Sequence, residues 1–293
     1  MKIGIDMGGS HVAIGIVNEN GEIIEKFEKD IKTMEEQAKD EMSTYIIENI
    51  SKIEQNYDIE KIGIGSPGTP KNGILTNLVN LKIKEFDITS ILKEHFDIPV
   101  ILKNDAKCAG LAEKTYGALK DYQDAVFLCL GTGIGANIFM AGKELQPIQN
   151  PGMEIGHMVI DKNGIECNCG KKGCFEKYGN ILQYKNKVKE RLNIPQEVNA
   201  QPLRDIMNPR ANEIEDLRQQ YISDLAIGIS NLVNIFEPDA IILGGGFTHF
   251  AYMFMDDLKD KLINSTLLFN RRDDIDLRCA ELKNDAAMIG SIL

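Results

Sequence analysis

Short apolar runs alternate with glycine turns and amphipathic stretches along the chain. Residues 2–16 and 126–140 share one pattern, an apolar run that enters a glycine-rich turn and continues as a second apolar run. This pattern predicts a β-hairpin at each place. Because the hairpin recurs, the sequence indicates an internal duplication with a boundary near residues 117–124. Residues 125–142 carry no charge, but four glycines and two polar side chains favour strand, turn and strand over a membrane span.

Helices and further strands are predicted between and after the hairpins. Apolar residues near helical spacing predict helices at residues 33–57, 106–116, 175–192 and 216–236, and a short helix at 283–293. Apolar runs predict strands at residues 61–65, 99–102 and 240–243. Strands that alternate with helices indicate an α/β protein.

The composition indicates a globular, acidic protein. A length of 293 residues suits two domains, given ~100 to 200 residues per domain. A net charge of -11 disfavours a nucleic-acid partner, because phosphate backbones are bound by clustered Lys and Arg. Lys2 and Asp6 stand where a signal peptide would need an apolar run. A cytoplasmic location without a membrane partner is therefore predicted.

Three glycine-rich segments follow predicted strands; the first two are candidate phosphate-binding loops, and the third lies where α/β sheets commonly present their backbone to a ligand. They contain Asp6, Gly8, Gly9 and Ser10; Gly131, Thr132 and Gly133; and Gly244, Gly245 and Gly246. Backbone amides in the first two segments can approach an anion closely, so a nucleoside triphosphate is the predicted ligand, and these two loops could hold the transferred phosphoryl group. Plain hairpin turns, or a strand-to-helix turn for the third segment, stay open as alternatives.

Four potential metal ligands lie close together, with glycines between them that let the chain turn. They are His157, Cys167, Cys169 and Cys174. Three thiolates and an imidazole form a closed tetrahedral set, which predicts a structural zinc ion; in a reducing cytoplasm, metal is favoured over disulfide. Buried thiols or a redox pair are the alternative. Glu154 and Glu176 flank the set, and the metal could orient both acids, although isolated glutamates are usually surface residues.

Together these segments resemble the ROK family, bacterial sugar kinases and repressors of the actin-like ATPase superfamily. The matching segments occur in family order, at residues 6–10, 66–68, 80–81, 104–106, 130–135, 154–157, 167–176 and 244–246. The resemblance implies a two-lobed α/β fold of the actin-like (ribonuclease H-like) type, with the active site in the interlobe cleft. Residues 1–117 with the helix 283–293 would form the N-terminal lobe, and residues 118–282 the C-terminal lobe.

The resemblance also implies an ATP-dependent sugar kinase of the glucokinase or N-acetylhexosamine kinase type. Asp105 would be the general base that takes the proton from a sugar hydroxyl, usually that on carbon 6. Its place after the strand 99–102, at the mouth of an α/β sheet, fits this role. Mg²⁺ and the glycine loops would hold the γ-phosphoryl group. The implied sugar-binding residues are Gly68, Asn80, Asn104, Asp105, Glu154, His157 and Glu176. A small-molecule sugar partner and a homo-oligomer, dimer or tetramer, are also implied.

Two residues depart from the family pattern. His11 stands where the first loop usually has a lysine, and Met153 stands where a glycine commonly precedes the glutamate. Met153 either reshapes the sugar pocket or fills a gap in the core. The acceptor stays open among glucose, the commonest case, N-acetylmannosamine, N-acetylglucosamine, allose, fructose and related hexoses.

Two functions from other classes compete with a kinase. A sugar-responsive repressor is disfavoured, because family repressors carry a winged helix ahead of the first loop and only five residues precede Asp6. A sugar-binding regulator without turnover is expected to lose the base. The presence of Asp105 therefore favours the kinase.

Overall fold

A computed structural model describes residues 1–8, 11–68, 70, 71, 73–78, 81–146, 153–265 and 275–293. The chain divides into two compact units. The first is built mainly from Met1–Lys120 and includes the C-terminal Asn284–Leu293, and the second comprises Asp121–Leu145 and Met153–Lys283.

The first unit is a mixed sheet with helices. Its elements are β1 (Lys2–Met7), β2 (His11–Val17), β3 (Ile23–Asp30), α1 (Glu35–Ile53), β4 (Lys61–Ser66), β5 (Leu75–Leu78), β6 (Ile83–Phe86), α2 (Ile88–His95), β7 (Val100–Asn104) and α3 (Asp105–Tyr116). The five-stranded sheet has the order β3-β2-β1-β4-β7. Strands β1, β2 and β3 pair antiparallel, whereas β1, β4 and β7 pair parallel. Strands β5 and β6 form a separate antiparallel pair.

The second unit repeats this topology. Its elements are β8 (Ala125–Leu130), β9 (Ile134–Met140), β10 (Lys143–Glu144), α4 (Glu176–Gly179), α5 (Ile181–Leu192), α6 (Ala200–Met207), α7 (Glu215–Phe236), β11 (Ala240–Gly244), α8 (Met255–Ser265) and β12 (Asp276–Cys279). The five-stranded sheet has the order β10-β9-β8-β11-β12. Again three strands pair antiparallel, and β8, β11 and β12 pair parallel.

The last helix, α9 (Ala286–Ser291), belongs to the first unit and packs on α3. A side chain at Gly290 would place its Cβ 1.7 Å from the carbonyl oxygen of Cys108. Only a glycine lets the two helix backbones approach so closely. The predicted C-terminal helix is therefore present, and it is tightly bound to the unit that contains the first hairpin.

Most predicted elements are confirmed, including both hairpins and the α/β class. One prediction was wrong: the helix expected at residues 175–192 is two helices, α4 and α5. The break lies at Asn180, whose backbone is extended. Its side-chain Oδ1 accepts a hydrogen bond from Gln183 N at 2.7 Å and so caps the start of α5. Within the described ranges, no helix is long and apolar enough to cross a membrane.

Candidate functional site

The first glycine loop closes the turn between β1 and β2. The backbone N–H of Gly8 donates to the carbonyl oxygen of His11 at 2.8 Å. Asp6, near the end of β1, places Oδ2 3.7 Å from His11 Nε2, which is an ion-pair distance rather than a hydrogen bond. Gly9 and Ser10, which were predicted to belong to this loop, lie outside the described residues.

The charge of Asp6 acts on His11. This carboxylate raises the pKa of His11 and outweighs the partial burial of the ring, which lowers it; Glu28 and Asp30 act in the same direction as Asp6. The histidine therefore keeps a positive charge to a higher pH than usual, at a position where the family pattern has a lysine. The pairing itself was missed in the sequence. It could have been found from the tight hairpin, since Asp6 pairs with Ala13 and His11 lies on the same face two residues earlier.

Asp105 is the first residue of α3 and directly follows β7. The strand was predicted to end at residue 102, but it continues to Asn104, because Lys103 and Asn104 still pair with β4. The carboxylate therefore lies at a helix N-terminus. Its Oδ1 accepts a hydrogen bond from Ala106 N at 2.7 Å.

The pKa of Asp105 is raised to about 6. Burial is the main cause, the negative charge of Asp6 adds to it, and the backbone hydrogen bond from Ala106 opposes it. The loss of solvation thus outweighs the favourable helix N-terminus. A carboxylate whose pKa lies near neutrality is suited to accept a proton during a reaction.

Asn104 connects Gly68 to Asp105, the residue that follows it in the chain. Its Oδ1 caps α3 by accepting from Lys107 N at 3.2 Å, and its Nδ2 donates to the carbonyl oxygen of Gly68 at 3.1 Å. Gly68, Asn104 and Asp105 are therefore brought together in the first unit. Asn80, the remaining predicted sugar ligand of this unit, lies outside the described residues.

The four predicted metal ligands converge in the second unit. One ligand atom from each of His157, Cys167, Cys169 and Cys174 lies within 4.8 Å of all the others. His157 Nδ1 is 3.5 Å from Cys167 Sγ, and Cys169 Sγ is 3.5 Å from Cys174 Sγ. Ligand atoms around a tetrahedral zinc ion with Zn–S bonds of about 2.3 Å are roughly 3.8 Å apart. The donor set and its spacing therefore fit zinc.

The pKa of Cys174 is raised to about 12, chiefly by burial and in addition by the neighbouring thiols of Cys169 and Cys167. The pKa of Cys169 is instead lowered, chiefly by a backbone hydrogen bond from Lys171. A metal ion that binds here displaces the thiol protons and compensates the negative charges that the thiolates would otherwise bury.

His157 presents its two ring nitrogens to different neighbours. Nδ1 faces Cys167, and Nε2 lies 3.8 Å from Glu154 Oε2. Both residues belong to one turn, in which His157 N donates to Glu154 O at 3.0 Å. The same imidazole can therefore contact a metal with one nitrogen and a polar ligand with the other.

The second glycine loop joins β8 to β9. Gly131 N donates to Gly133 O at 3.0 Å, and Leu182 N, in the first turn of α5, donates to Gly131 O at 3.3 Å. The third segment continues β11 into a 3-10 turn, Gly245–His249. A Cβ at Gly245 would be 2.9 Å from the carbonyl oxygen of Leu130. The second and third segments are therefore adjacent, although they are far apart in sequence.

Glu176 contacts the second loop directly. Its Oε2 accepts a hydrogen bond from Ile134 N at 3.2 Å. Glu176 was predicted from the sequence as a site residue, but this contact was not, because the partner is a backbone amide that any residue type would supply.

Met153 has a backbone conformation that glycine favours. Its φ is +57°, in the left-handed region where a side chain is unfavourable. Its side chain is partly buried and packs against the core of the second unit. The position at which the family pattern has a glycine is thus a strained one in this chain.

The sequence matches the family model described as "ROK family" over residues 2–293. The chain belongs to the ROK family. The expected actin-like α/β fold is confirmed by the solved structures of ROK proteins that resemble it.

The relatives in the ROK family include proteins named as glucokinases and proteins named as repressors. A glucokinase from Thermotoga maritima is 30% identical over 282 residues, which cover 89% of this chain and 87% of the relative. A putative xylose repressor from Caldicellulosiruptor sp. is 28% identical over 306 residues, 99% of this chain and 76% of the relative. Among solved structures, a ROK family glucokinase from Streptomyces griseus in complex with glucose and AMPPNP has a TM-score of 0.81 at 23% identity, covering 99% of this chain and 97% of that one.

Proposed function

We propose that this chain is an ATP-dependent, glucokinase-like hexose kinase that transfers the γ-phosphoryl group to the carbon-6 hydroxyl of a sugar. The observation that carries the proposal is Asp105, a carboxylate at the start of α3 with a pKa of about 6. The name of the Thermotoga maritima relative, glucokinase, supports the class of reaction.

In this proposal the chain holds the sugar and accepts a proton from it. Asp105 accepts the proton of the attacking hydroxyl and so increases its nucleophilicity. The proposed ligands of the other hydroxyls are Gly68, Asn80, Asn104, Glu154, His157 and Glu176. Such polar groups fix the orientation of the ring and of the reacting oxygen.

The first two glycine segments bind the phosphates of ATP through backbone N–H groups, and the third lies on the adenosine side of the nucleotide. Gly131 supports this role, because among the described residues, its two chain neighbours aside, no atom lies within 4 Å of the place its Cβ would occupy, which leaves room for a phosphate. The proposed nucleotide-binding residues are Asp6, Gly8, Gly9, Ser10, Gly131, Thr132, Gly133, Gly244, Gly245 and Gly246. His11, whose pKa Asp6 raises, adds a positive charge next to the first loop when it is protonated. ATP and Mg²⁺, when bound, supply the phosphoryl group and neutralise its charge.

A zinc ion bound by His157, Cys167, Cys169 and Cys174 has a structural role in this proposal. Four protein ligands complete its coordination and leave no position for a reacting water. The ion fixes the segment that carries Glu154 before it and Glu176 after it. Zinc thus stabilises the sugar-binding residues rather than the transition state.

A sugar-binding regulator without turnover is the second candidate. The similarity to a putative xylose repressor over 99% of this chain favours it. In that case the chain binds a sugar but forms no ADP. A cytoplasmic location and a homo-oligomeric state, dimer or tetramer, are further parts of this proposal, and sedimentation analysis tests the second.

The test is a panel of sugars with ATP and Mg²⁺. We expect sugar-dependent ADP formation with at least one of glucose, N-acetylmannosamine, N-acetylglucosamine, allose and fructose, and NMR of the product should show phosphate on carbon 6. Sugar binding by calorimetry without ADP formation from any sugar would favour the regulator. If the chain shows no sugar binding and no turnover, both candidate functions are contradicted.

A further inference from the structure

Glu176 lies between two parts of the proposed site that have different ligands. It is a proposed sugar ligand, and its Oε2 accepts a hydrogen bond from Ile134 N, 3.2 Å away, where the second glycine loop enters β9. A bond from an amide to a carboxylate is stronger than one to a neutral acceptor. The carboxylate therefore contributes to the position of the loop.

The loop is shaped to leave space for this carboxylate. A Cβ at Gly133 would be 2.4 Å from Glu176 Oε2 and 3.3 Å from its carboxyl carbon. At Gly131, two residues earlier in the same loop, a Cβ would meet no atom within 4 Å from the described part of the chain beyond its two neighbours. The two glycines are thus under different constraints, and only Gly133 faces Glu176.

The backbone that carries Glu176 is firmly held. Cys174 and Phe175, which precede it, are both fully buried, and Phe175 N donates to Met158 O at 2.8 Å. A contact that displaces the side chain of Glu176 therefore moves its carboxylate and the loop, rather than the backbone at the start of α4.

The turn that carries Glu154 and His157 joins the same contact. A Cβ at Gly156, inside this turn, would be 2.7 Å from Ile134 O and 3.5 Å from Glu176 Cβ. The turn, Glu176 and the loop therefore pack directly on one another within the second unit. A ligand that changes the position of Glu176 therefore also changes the position of the loop.

We propose that Glu176 couples sugar binding to nucleotide binding by positioning the Gly131–Gly133 loop. One carboxylate oxygen holds Ile134 N, and the other accepts from a sugar hydroxyl, so an occupied sugar site fixes the carboxylate and with it the loop. This inference rests on the proposed function, since it takes Glu176 as a sugar ligand and the loop as a phosphate ligand. Glu176 is a positioning residue here, because it acts on the phosphates through Ile134.

The consequence is a reciprocal change in affinity. If sugar orders the loop, the nucleotide binds more tightly to the sugar complex, and sugar binds more tightly to the nucleotide complex by the same factor. Couplings between sites in proteins are typically ~5- to 150-fold, and one shared hydrogen bond suggests the lower part of that range. We expect roughly 10-fold.

The test compares Gly133→Ala with Gly131→Ala, which add the same methyl group to the same loop. Calorimetry gives the Kd of AMPPNP with Mg²⁺, first without sugar and then with a saturating concentration of the sugar that the panel identifies. Both variants alter a phosphate loop, so the ratio of the two Kd values, not either value alone, is the measurement. We expect wild type and Gly131→Ala to keep a ratio of about 10, and Gly133→Ala to lose it, because the methyl displaces the carboxylate.

Glu176 variants give an independent test. Glu176→Gln keeps an oxygen that can accept from Ile134 N and should retain part of the coupling, whereas Glu176→Asp withdraws the carboxylate and should remove it. In the Glu176→Asp background, Gly133→Ala should change the ratio no further. Thermal melts identify any variant that fails to fold, and the remaining variants of the set then carry the comparison.

The outcomes separate the two claims. If the wild type binds both ligands and turns over, but shows no coupling or the same coupling in Gly133→Ala and Gly131→Ala, the coupling is overturned and the proposed function stands. If the wild type binds no sugar or no nucleotide, the proposed function fails, and the coupling fails with it.

Discussion

At the scale of single residues, the ionisation of Asp105 predicts how the activity depends on pH. With a pKa of about 6, the carboxylate is protonated in acid and ionised at neutral pH. Because a general base acts only when ionised, kcat/KM should rise with pH, about tenfold per unit, and level off above roughly pH 6. A pH profile in buffers of constant ionic strength checks this. A flat profile between pH 5 and 7 would contradict the assignment.

The raised pKa of Asp105 also predicts a stability effect with a definite sign. The folded state holds the proton more tightly than the unfolded state, so stability from this group is present below the unfolded pKa and lost as pH rises through about 6. Asp105→Asn, which keeps an acceptor for Ala106 N, should therefore be more stable than wild type at pH 8, by about 1 to 3 kcal/mol.

Thermal melts at pH 8 and at pH 4 test this effect. The stabilisation by Asp105→Asn should shrink at pH 4, where wild type is itself protonated. An equal gain at both pH values would assign the effect to packing, and a loss of stability at pH 8 would show that the ionised carboxylate is stabilising.

Met153 is subject to two opposing effects. Its left-handed backbone, φ +57°, is unfavourable by about 1 to 2 kcal/mol, whereas the packing of its side chain against the core is favourable by a similar amount. Met153→Gly removes both and should change stability little. Met153→Ala removes the packing but keeps the strain, so it should be less stable than Met153→Gly by about 1 kcal/mol.

The same pair of variants tests whether Met153 contributes to acceptor choice. Because its side chain packs against the core, we expect Met153→Gly to leave the ranking of sugars by kcat/KM unchanged. Unequal changes of about 10-fold or more between sugars would instead place the side chain in the sugar pocket.

At the scale of elements, the segment from His157 to Cys174 predicts one zinc ion per chain. Chelation or Cys169→Ser should lower the melting temperature and weaken sugar binding, because Glu154 and Glu176 flank the ligands. Elemental analysis and calorimetry check this, with Cys279→Ser, a cysteine outside the ligand set, as the control. Metal-free protein with full activity would contradict the zinc assignment.

The elements that the sequence predicted well are those whose pattern is local. Both hairpins and α1, α3 and α7 follow from apolar spacing within one segment. Strand β3 (Ile23–Asp30) was missed because it is a mainly exposed edge strand rich in charge, which leaves no continuous apolar run. The break between α4 and α5 depends on the side-chain cap of Asn180, which apolar spacing does not reveal.

The site was predictable to the extent that residue type carries the chemistry. The convergence of His157 and the three cysteines follows from donor identity and spacing. By contrast, three features depend on backbone positions. They are the ion pair of Asp6 and His11, the hydrogen bond from Ile134 N to Glu176 and the strain at Met153. The register of the first hairpin could have indicated the first of these, whereas only the tertiary structure reveals the other two.

At the scale of the whole molecule, the two sheets share one strand order, three antiparallel strands followed by two parallel ones. The recurring hairpin predicted this duplication. The acceptor sugar does not follow from the strand order, since hexoses differ by single hydroxyl groups and selection between them depends on small differences in binding. The sugar panel therefore decides the substrate.

Phosphoryl transfer that depends on Asp105 is tested most directly by comparing wild type with Asp105→Asn, using sugar-dependent ADP formation and calorimetric sugar binding on the same samples. Wild type should form ADP only when its sugar is present. The variant should bind that sugar with similar affinity and turn over roughly 10³-fold more slowly. A variant that binds the sugar and retains near-normal kcat would contradict the role of Asp105 as the base.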